Sequence, residues 1–362
     1  MRIDILRPDE IAGADAVAWE ALRGQGPQAN PFFSLTWAKT LSSVGGPDQA
    51  GAQVAVIREG EAAVGFYPVR KRRLTAMPMG APLCDYQGLI AGPGLKLEPR
   101  DLLRAFGVQR LDFSHLLSDQ TPFAPYMKGT AVSQIIDLRQ GHDAYARGRQ
   151  TAGTDILKDS AKKRRKLERE HGEAVFTARS ASRADLGQLL AWKRAQYAKT
   201  RQTDIFDAGW PLAVLERLFA SDDADCRGLL FTLHVGGALV AAHFAMASRT
   251  VLHAWFIAHD DAFGRYSPGC LLIVDIIRWA ADAGYHEIDL GPGDYRFKCS
   301  LANRTQEVSH GYVGRPASPA ALIRAAQYGV RHTAEALPLG NASSLPGKAM
   351  RRLDLWRGMG IG

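Results

Sequence analysis

Residues 265–284, "RYSPGCLLIVDIIRWAADAG", read as a helix that is apolar almost all the way round. Its polar residues Asp275, Arg278 and Asp282 share one narrow stripe, so the helix must lie packed against a sheet. Three strand-like runs precede it: "RGLLFTLHV", "ALVAAHFAMAS" and "TVLHAWFIA". Gly236-Gly237 joins the first two as a hairpin turn. After the helix come a short strand, "HEIDL", the loop "GPGDYRFK" and a last strand, "QEVSHGYV". A strand at 174–179 and helices at 183–200 and 210–221 open this region, giving the order β-α-α-β-β-β-α-β-α/loop-β.

The earlier part of the chain alternates differently. Residues 30–42, "NPFFSLTWAKTLS", pattern as a short amphipathic helix. In 52–70 two apolar runs flank "REGE", a hairpin signal. Residues 99–108 read as a helix and 109–113 as a strand. Residues 155–171 form a charged helix that Gly172 terminates. The predicted organisation is therefore an N-terminal domain (1–152), a connecting helix (153–173), a C-terminal domain (174–315) and a tail (316–362). The tail opens with a helical pattern, "PASPAALIRAAQYGVRHTAEAL", followed by a Gly/Pro/Ser-rich stretch.

Composition narrows the class. A chain of 362 residues with 46% hydrophobic and 23% charged residues has room for two globular cores. No apolar run reaches the roughly 18 residues of a membrane span. The N-terminus carries Asp4, Asp9 and Glu10 and has no apolar h-region, so a cytoplasmic location is expected. The cysteines Cys84, Cys226, Cys270 and Cys299 have neither metal nor redox spacing, and each is expected as a small buried residue. The formal net charge of +8 favours anionic partners. It is clustered: Lys158 to Glu170 holds seven basic residues against three acidic ones, and the chain from Arg315 onward seven against two.

The start of the apolar helix carries candidate chemistry. Ser267 is an N-cap type, Pro268 suits the first helical position and Gly269 adds no side chain. Such a start presents bare amides and the positive end of the helix dipole, with Arg265 as a further cation, an arrangement suited to phosphate. The same residues also describe a buried helix that binds nothing. A Walker loop and a strand-linked GxGxxG are both absent from the sequence.

The span from Asp260 to Lys298 resembles the CelD-like acyltransferases of bacterial cellulose and exopolysaccharide biosynthesis. These are GNAT-type proteins related to the FemAB-like aminoacyl transferases. The shared pattern falls on Asp260, Phe263, Ser267, Pro268, Gly269, Gly284, Asp289, Gly293, Asp294, Phe297 and Lys298. "NPFFSLTW", "PLCDYQG" and "SAKKRRKLERE" extend the resemblance over roughly residues 30–315. The aromatic before Lys298 is Phe297 where the family usually has Tyr; Tyr295 lies close by. The resemblance implies an α+β fold of two GNAT-like domains, with mixed, mostly antiparallel sheets flanked by helices. It also implies acetyl-CoA as co-substrate, no metal, and a pyrophosphate loop of Arg265, Ser267, Gly269 and Cys270.

Acyl transfer from a thioester needs a base, donors for the developing oxyanion and an acid for the thiolate. Candidate bases are His243, His253 and Asp294, and Tyr295 is a candidate acid. Either histidine also suits an apolar strand interior, and Asp294 also suits a turn. Asp85, Tyr86, Arg296 and Lys298 are candidates for the acceptor side. The expected reaction is N- or O-acylation of a sugar or exopolysaccharide precursor. Two other readings stand beside it. One is a FemAB-like transferase using aminoacyl-tRNA, whose phosphates the 158–170 helix would meet. The other is a regulator of polysaccharide biosynthesis binding a cyclic dinucleotide through Arg324, Arg331, Arg351, Arg352, Arg357, Tyr328 and Trp356. The same basic tail also suits peripheral contact with the inner face of a membrane.

Overall fold

One mixed sheet of thirteen strands runs through both halves of the chain in the computed structural model, which describes residues 1–24, 26–337 and 345–360. The strands are β1 (Arg2–Leu6), β2 (Ala52–Glu59), β3 (Ala62–Arg72), β4 (Thr75–Pro78), β5 (Ile90–Ala91), β6 (Arg110–Leu117), β7 (Met127–Asp137), β8 (Ala174–Thr177), β9 (Arg227–Val235), β10 (Ala238–Ala247), β11 (Val251–His259), β12 (Glu287–Pro292) and β13 (Arg304–Gly314). The helices are α1 (Gly13–Arg23), α2 (Leu35–Ser43), α3 (Pro47–Gly51), α4 (Pro99–Phe106), α5 (Gly141–Thr151), α6 (Ile156–His171), α7 (Arg183–Thr200), α8 (Trp210–Phe219), α9 (Pro268–Asp282), α10 (Arg296–Leu301), α11 (Pro319–Ala336) and α12 (Leu345–Met359). Spatial order along the sheet is β1-β2-β3-β4-β6-β13-β7-β12-β11-β10-β9-β8, with β5 beside β3.

Each half contains one parallel pair bridged by a helix. β4 and β6 are parallel with α4 between them, and β11 and β12 are parallel with α9 between them. A parallel pair cannot be closed by a tight turn, so a crossover helix is the expected connection. The last strand of each half crosses into the other. β7 lies between β13 and β12, and β13 lies between β6 and β7, all antiparallel. The fold is therefore α+β, two halves of like topology welded by exchanged strands.

The apolar runs at β9 and β10 read as continuous rather than alternating because both faces of the sheet are covered there. α7 and α8 pack on one face, with Leu230, Phe244 and Met246. α9 covers the other, with Phe231, Ala241 and Ala245. The β9–β10 hairpin turns at Gly236 and Gly237, both at positive φ (55° and 83°), as the double-glycine signal requires. The charged helix α6 buries only Ser160 and Leu167, yet it is anchored. Arg164 bonds Asp275 in the polar stripe of α9 at 2.6 Å and the Ala174 carbonyl at 2.9 Å.

The tail folds back over the sheet. Arg324 is buried in α11 and bonds Asp112 of β6 at 2.8 Å and Asp354 of α12 at 3.1 Å. Gly358 and Met359 carbonyls accept from Arg70 and Trp210, at 3.0 and 3.3 Å. The predicted Gly/Pro/Ser-rich stretch falls on 338–344, outside the described residues. Of the four cysteines, Cys84 and Cys226 are buried as expected, but Cys270 is partly exposed at the start of α9 and Cys299 is exposed on α10. No helix among the described residues is long and apolar enough to cross a membrane.

Candidate active site at the fork of β11 and β12

β11 and β12 stay paired over only three positions: Val251–Glu287, Leu252–Ile288 and His253–Asp289. Beyond that point residues 254–259 of β11 have no partner on the β12 side. The strands fork, and β12 bulges toward β7 between Asp289 and Pro292. Two polar side chains sit abreast where the fork begins.

His253 is fully buried and Asp289 is 1% exposed. His253 Nε2 lies 3.0 Å from Asp85 Oδ2, and Nδ1 lies 3.7 Å from Asp289 Oδ2. Asp289 Oδ1 accepts from Ser133 Oγ of β7 at 2.7 Å and from the Gly291 amide at 2.8 Å. Asn30 caps the turn at Pro31–Phe33, its Oδ1 accepting from the Phe32 amide. This fixes its amide so that Nδ2 faces His253 Nδ1 at 3.3 Å and Asp289 Oδ2 at 3.5 Å. Phe32 packs edge-on to the imidazole, with ring centroids 4.9 Å apart. The Tyr86 hydroxyl is buried beside Asp289 without hydrogen-bond geometry.

The electrostatics follow from this enclosure. Burial works against a charge on His253, but Asp289 and Asp85 outweigh it and push its pKa up to about 9. Burial also opposes the charges of Asp85 and Asp289, yet the imidazolium holds both carboxyls below the usual range. Charged, the ring donates from Nε2 to Asp85 and pairs through Nδ1 with the Asp289 charge; when Nδ1 loses its proton, Asn30 Nδ2 is placed to donate to it.

Lys298 of α10 completes the group. Its Nζ donates to the Gly291 and Pro292 carbonyls at 3.4 and 3.1 Å, and burial lowers its pKa against the pull of Asp85 and Asp289. A Cβ on Gly291 (φ 74°) would lie 3.2 Å from Asp85 Oδ2, 3.7 Å from Lys298 Nζ and 4.0 Å from His253 Nε2. A carboxylate, an amine and an imidazole thus converge on one point at the fork. Asp85 is the outermost of the buried chain, with its side chain 30% exposed.

At the helix start the structure revises the expectation. Ser267 is in the left-handed region (φ 55°, ψ 54°) and makes no side-chain cap. Its carbonyl takes the Cys270 and Leu271 amides at 2.9 and 3.2 Å, because the preceding turn at Asp261–Tyr266 delivers the chain in that conformation. Among the described residues only the Gly269 amide of this first turn has no acceptor, so the predicted row of bare donors is reduced to one. The Ser267 hydroxyl accepts from Lys163 Nζ of α6 at 2.8 Å. Arg265 is engaged with Glu170 at 2.9 Å and covers the Tyr266 ring. A Cβ at Gly269 would rest 3.5 Å from Ile257 and 3.7 Å from His259, both on the unpaired part of β11. The helix start therefore faces the fork.

Of the sequence candidates, the structure brings together His253, Asp85, Tyr86 and Lys298, with Gly269 and Ser267 at the mouth. It leaves the others apart. His243 is buried on β10 opposite Ile257, with neither ring nitrogen bonded, and burial pushes its pKa down to about 3. Asp294, Tyr295 and Arg296 are exposed on the loop into α10, Tyr295 lying 5.7 Å below Lys298 Nζ. Sequence reasoning did not single out Asn30, Ser133 or Lys163 as site residues, and it held Asp289 only as a pattern position. The acid that closes "HEIDLG" before its glycine was the legible signal; Ser133 had none, since nothing local places β7 beside β12.

Residues 155–299 match the acetyltransferase (GNAT) domain family. A search of curated proteins found no match. Among solved structures the chain is similar to FemX, at 10% identity and a TM-score of 0.56, covering 85% of this chain and 97% of that one. It is also similar to a domain assigned to a lysylphosphatidylglycerol synthetase of Agrobacterium fabrum, at 12% identity and a TM-score of 0.52, covering 86% and 94%. L-PGS of Bacillus licheniformis follows at 11% and 0.50, covering 87% and 96%. At these identities the likeness is one of fold. The chain carries an acyltransferase domain of the GNAT class, and the fork of β11 and β12 lies within it.

Proposed function

We propose that the protein transfers an acyl group from acyl-coenzyme A, with acetyl-CoA the expected donor, to an amine or hydroxyl of a sugar or exopolysaccharide precursor. The observation that carries this reading is the fork itself, with Asp85, His253 and Lys298 at its root and the open Gly269 amide at its mouth. Gly269 and Lys163 suit the donor's diphosphate: one supplies an unpartnered N–H on the helix axis, the other a cation within reach of Ser267. Bound there, the thioester would supply an activated acyl carbon.

The chain's own residues then divide the work. Asp85 binds the acceptor nucleophile through its exposed carboxylate edge and takes the proton that the nucleophile releases. As the C–N or C–O bond forms and the C–S bond breaks, Lys298 Nζ gives a proton to the leaving sulfur, and its lowered pKa favours that release. Solvent returns both groups to their starting states. His253 sits behind Asp85 as a positioning residue: its charge keeps Asp85 ionised and aimed, while Asp289, Ser133 and Asn30 hold the ring. Release of free thiol from acetyl-CoA in the presence of amino sugars and polyols tests this reading. The account expects acceptor-dependent turnover that falls ~100-fold in Asp85→Asn, the usual scale for loss of a general base. Turnover unchanged in that variant contradicts it.

A second reading is favoured by one specific feature. α6 turns Lys158, Lys162, Lys163, Arg165, Lys166 and Arg169 to solvent near the same helix start, which suits an aminoacyl-tRNA donor. Binding of charged tRNA that weakens steeply with salt, without any affinity for acetyl-CoA, selects it.

A further inference from the structure

α11 is amphipathic in the wrong sense for a helix packed on a globular core. Beyond the buried Ala320 and Ala321 at its start, the face it turns to the protein is polar. Arg324 is buried there between Asp112 and Asp354, and Tyr328 stacks on His310 and Tyr312 with centroids 6.1 and 5.7 Å apart. Arg331 Nη1 meets His310 Nε2 at 3.1 Å. The face it turns to solvent is largely apolar: Ile323, Ala326, Val330 and Leu337 recur at helical spacing, with Leu322 beside them. Thr333 is the single polar member of that row, and the row carries no charge. Leu322, Ile323 and Val330 are 58%, 56% and 61% exposed. Single exposed apolar residues are ordinary; an uncharged, mostly aliphatic stripe along a whole helix is not.

α12 lies antiparallel against α11, Asp354 facing Arg324 and Gly347 facing Arg331 and Glu335. It adds exposed Leu345, Leu353 and Trp356. The charged residues there are nearly all of one sign. Lys348, Arg351 and Arg352 are exposed, and the Arg352 guanidinium lies over the Trp356 ring at 5.2 Å. The two carboxylates of this region are both bound to arginines, Glu335 to Arg331 at 2.8 Å and Asp354 to Arg324 at 3.1 Å.

We propose that the outer face of α11 and α12 docks on an anionic phospholipid surface. The charge pattern chooses among possible occupants. A second copy meeting this face about a twofold axis would oppose arginine to arginine. A nucleic acid would satisfy the cations but leave the leucine, isoleucine and valine stripe in water. A bilayer interface takes both, apolar side chains among the acyl chains and cations among the phosphates, with tryptophan at the boundary. This proposal does not depend on the donor or the acceptor of the transfer reaction.

Co-sedimentation of the full chain with phosphatidylglycerol-containing vesicles and with pure phosphatidylcholine vesicles tests it. The expected result is binding to the anionic vesicles only. Binding is lost in Ile323→Glu/Val330→Glu and falls about fivefold for each cation removed in Arg351→Gln and Arg352→Gln. All four positions face solvent, so far-ultraviolet circular dichroism of the variants stays that of the wild type. A blue shift of emission on vesicle addition, absent in Trp356→Phe, gives a second readout. Equal affinity for neutral and anionic vesicles, no binding to either, or self-association in place of vesicle binding would each overturn the proposal.

Discussion

The sheet contains two crossover units, β4–α4–β6 and β11–α9–β12, with the same topology and opposite treatment of the helix start. α4 begins with Glu98, whose carboxylate accepts from the Arg100 amide at 3.3 Å and from the Tyr126 hydroxyl at 3.0 Å. A negative group already occupies the positive end of that helix, and it repels any anion. α9 begins with Ser267, which caps nothing with its side chain, and leaves the Gly269 amide open beneath Lys163. One unit has been closed and stabilised and the other left unsatisfied. An unsatisfied helix end next to a fork in the sheet costs stability, and such a cost is tolerated where it serves binding.

The comparison can be broken most severely at the root of the C-terminal fork. Asp289→Ala strands a buried imidazolium, and the expected loss is about 3–5 kcal/mol in unfolding free energy, read from urea denaturation. Next in size is Lys298→Ala, which removes the proposed proton donor for the leaving sulfur. It lowers kcat with acetyl-CoA by ~100-fold while thermal stability stays near that of the wild type. Gly269→Asp sets a carboxylate at the start of α9, as Glu98 does at α4, and weakens donor binding by roughly tenfold, measured by calorimetry. Its mirror, Glu98→Ala, costs about 1 kcal/mol of stability and leaves donor binding unchanged.

A last effect is on pH dependence. The folded pKa of His253 is raised, so its contribution to stability is complete below the ordinary histidine value near 6.5 and is lost progressively as pH rises toward about 9. Asp85 and Asp289 are lowered, so their contribution holds above the ordinary carboxylate value of 3.8 and is lost as pH falls through their folded values. The melting temperature of the wild type should decline between pH 6.5 and 9, and His253→Asn should remove that slope.

Much of this contrast could be read before any coordinates. The apolar continuity of 268–282, the double-glycine hairpin and the Ser-Pro-Gly start placed α9 and its neighbouring strands closely. His253, Asp85 and Lys298 were recognisable as polar residues in apolar or glycine-rich company. Two kinds of fact were not local and could not be read. The exchange of β7 and β13 between halves joins strands more than 150 residues apart, and it alone brings Ser133 to Asp289. The left-handed turn at Ser267 is set by the helical turn before it, so a residue of ideal capping type leaves its hydroxyl to Lys163 instead. Exposure also misled: Asp294 and Tyr295 sit in an eye-catching glycine loop, but they face solvent while the buried acid, Asp289, does the holding.

The central claim is that the chain has a single donor site, in the C-terminal unit. Isothermal titration of the full chain with acetyl-CoA measures it directly. The account predicts one equivalent bound, abolished in Gly269→Trp and retained in Glu98→Ala. Two equivalents, or binding indifferent to Gly269→Trp, would contradict it, as would the absence of any heat of binding.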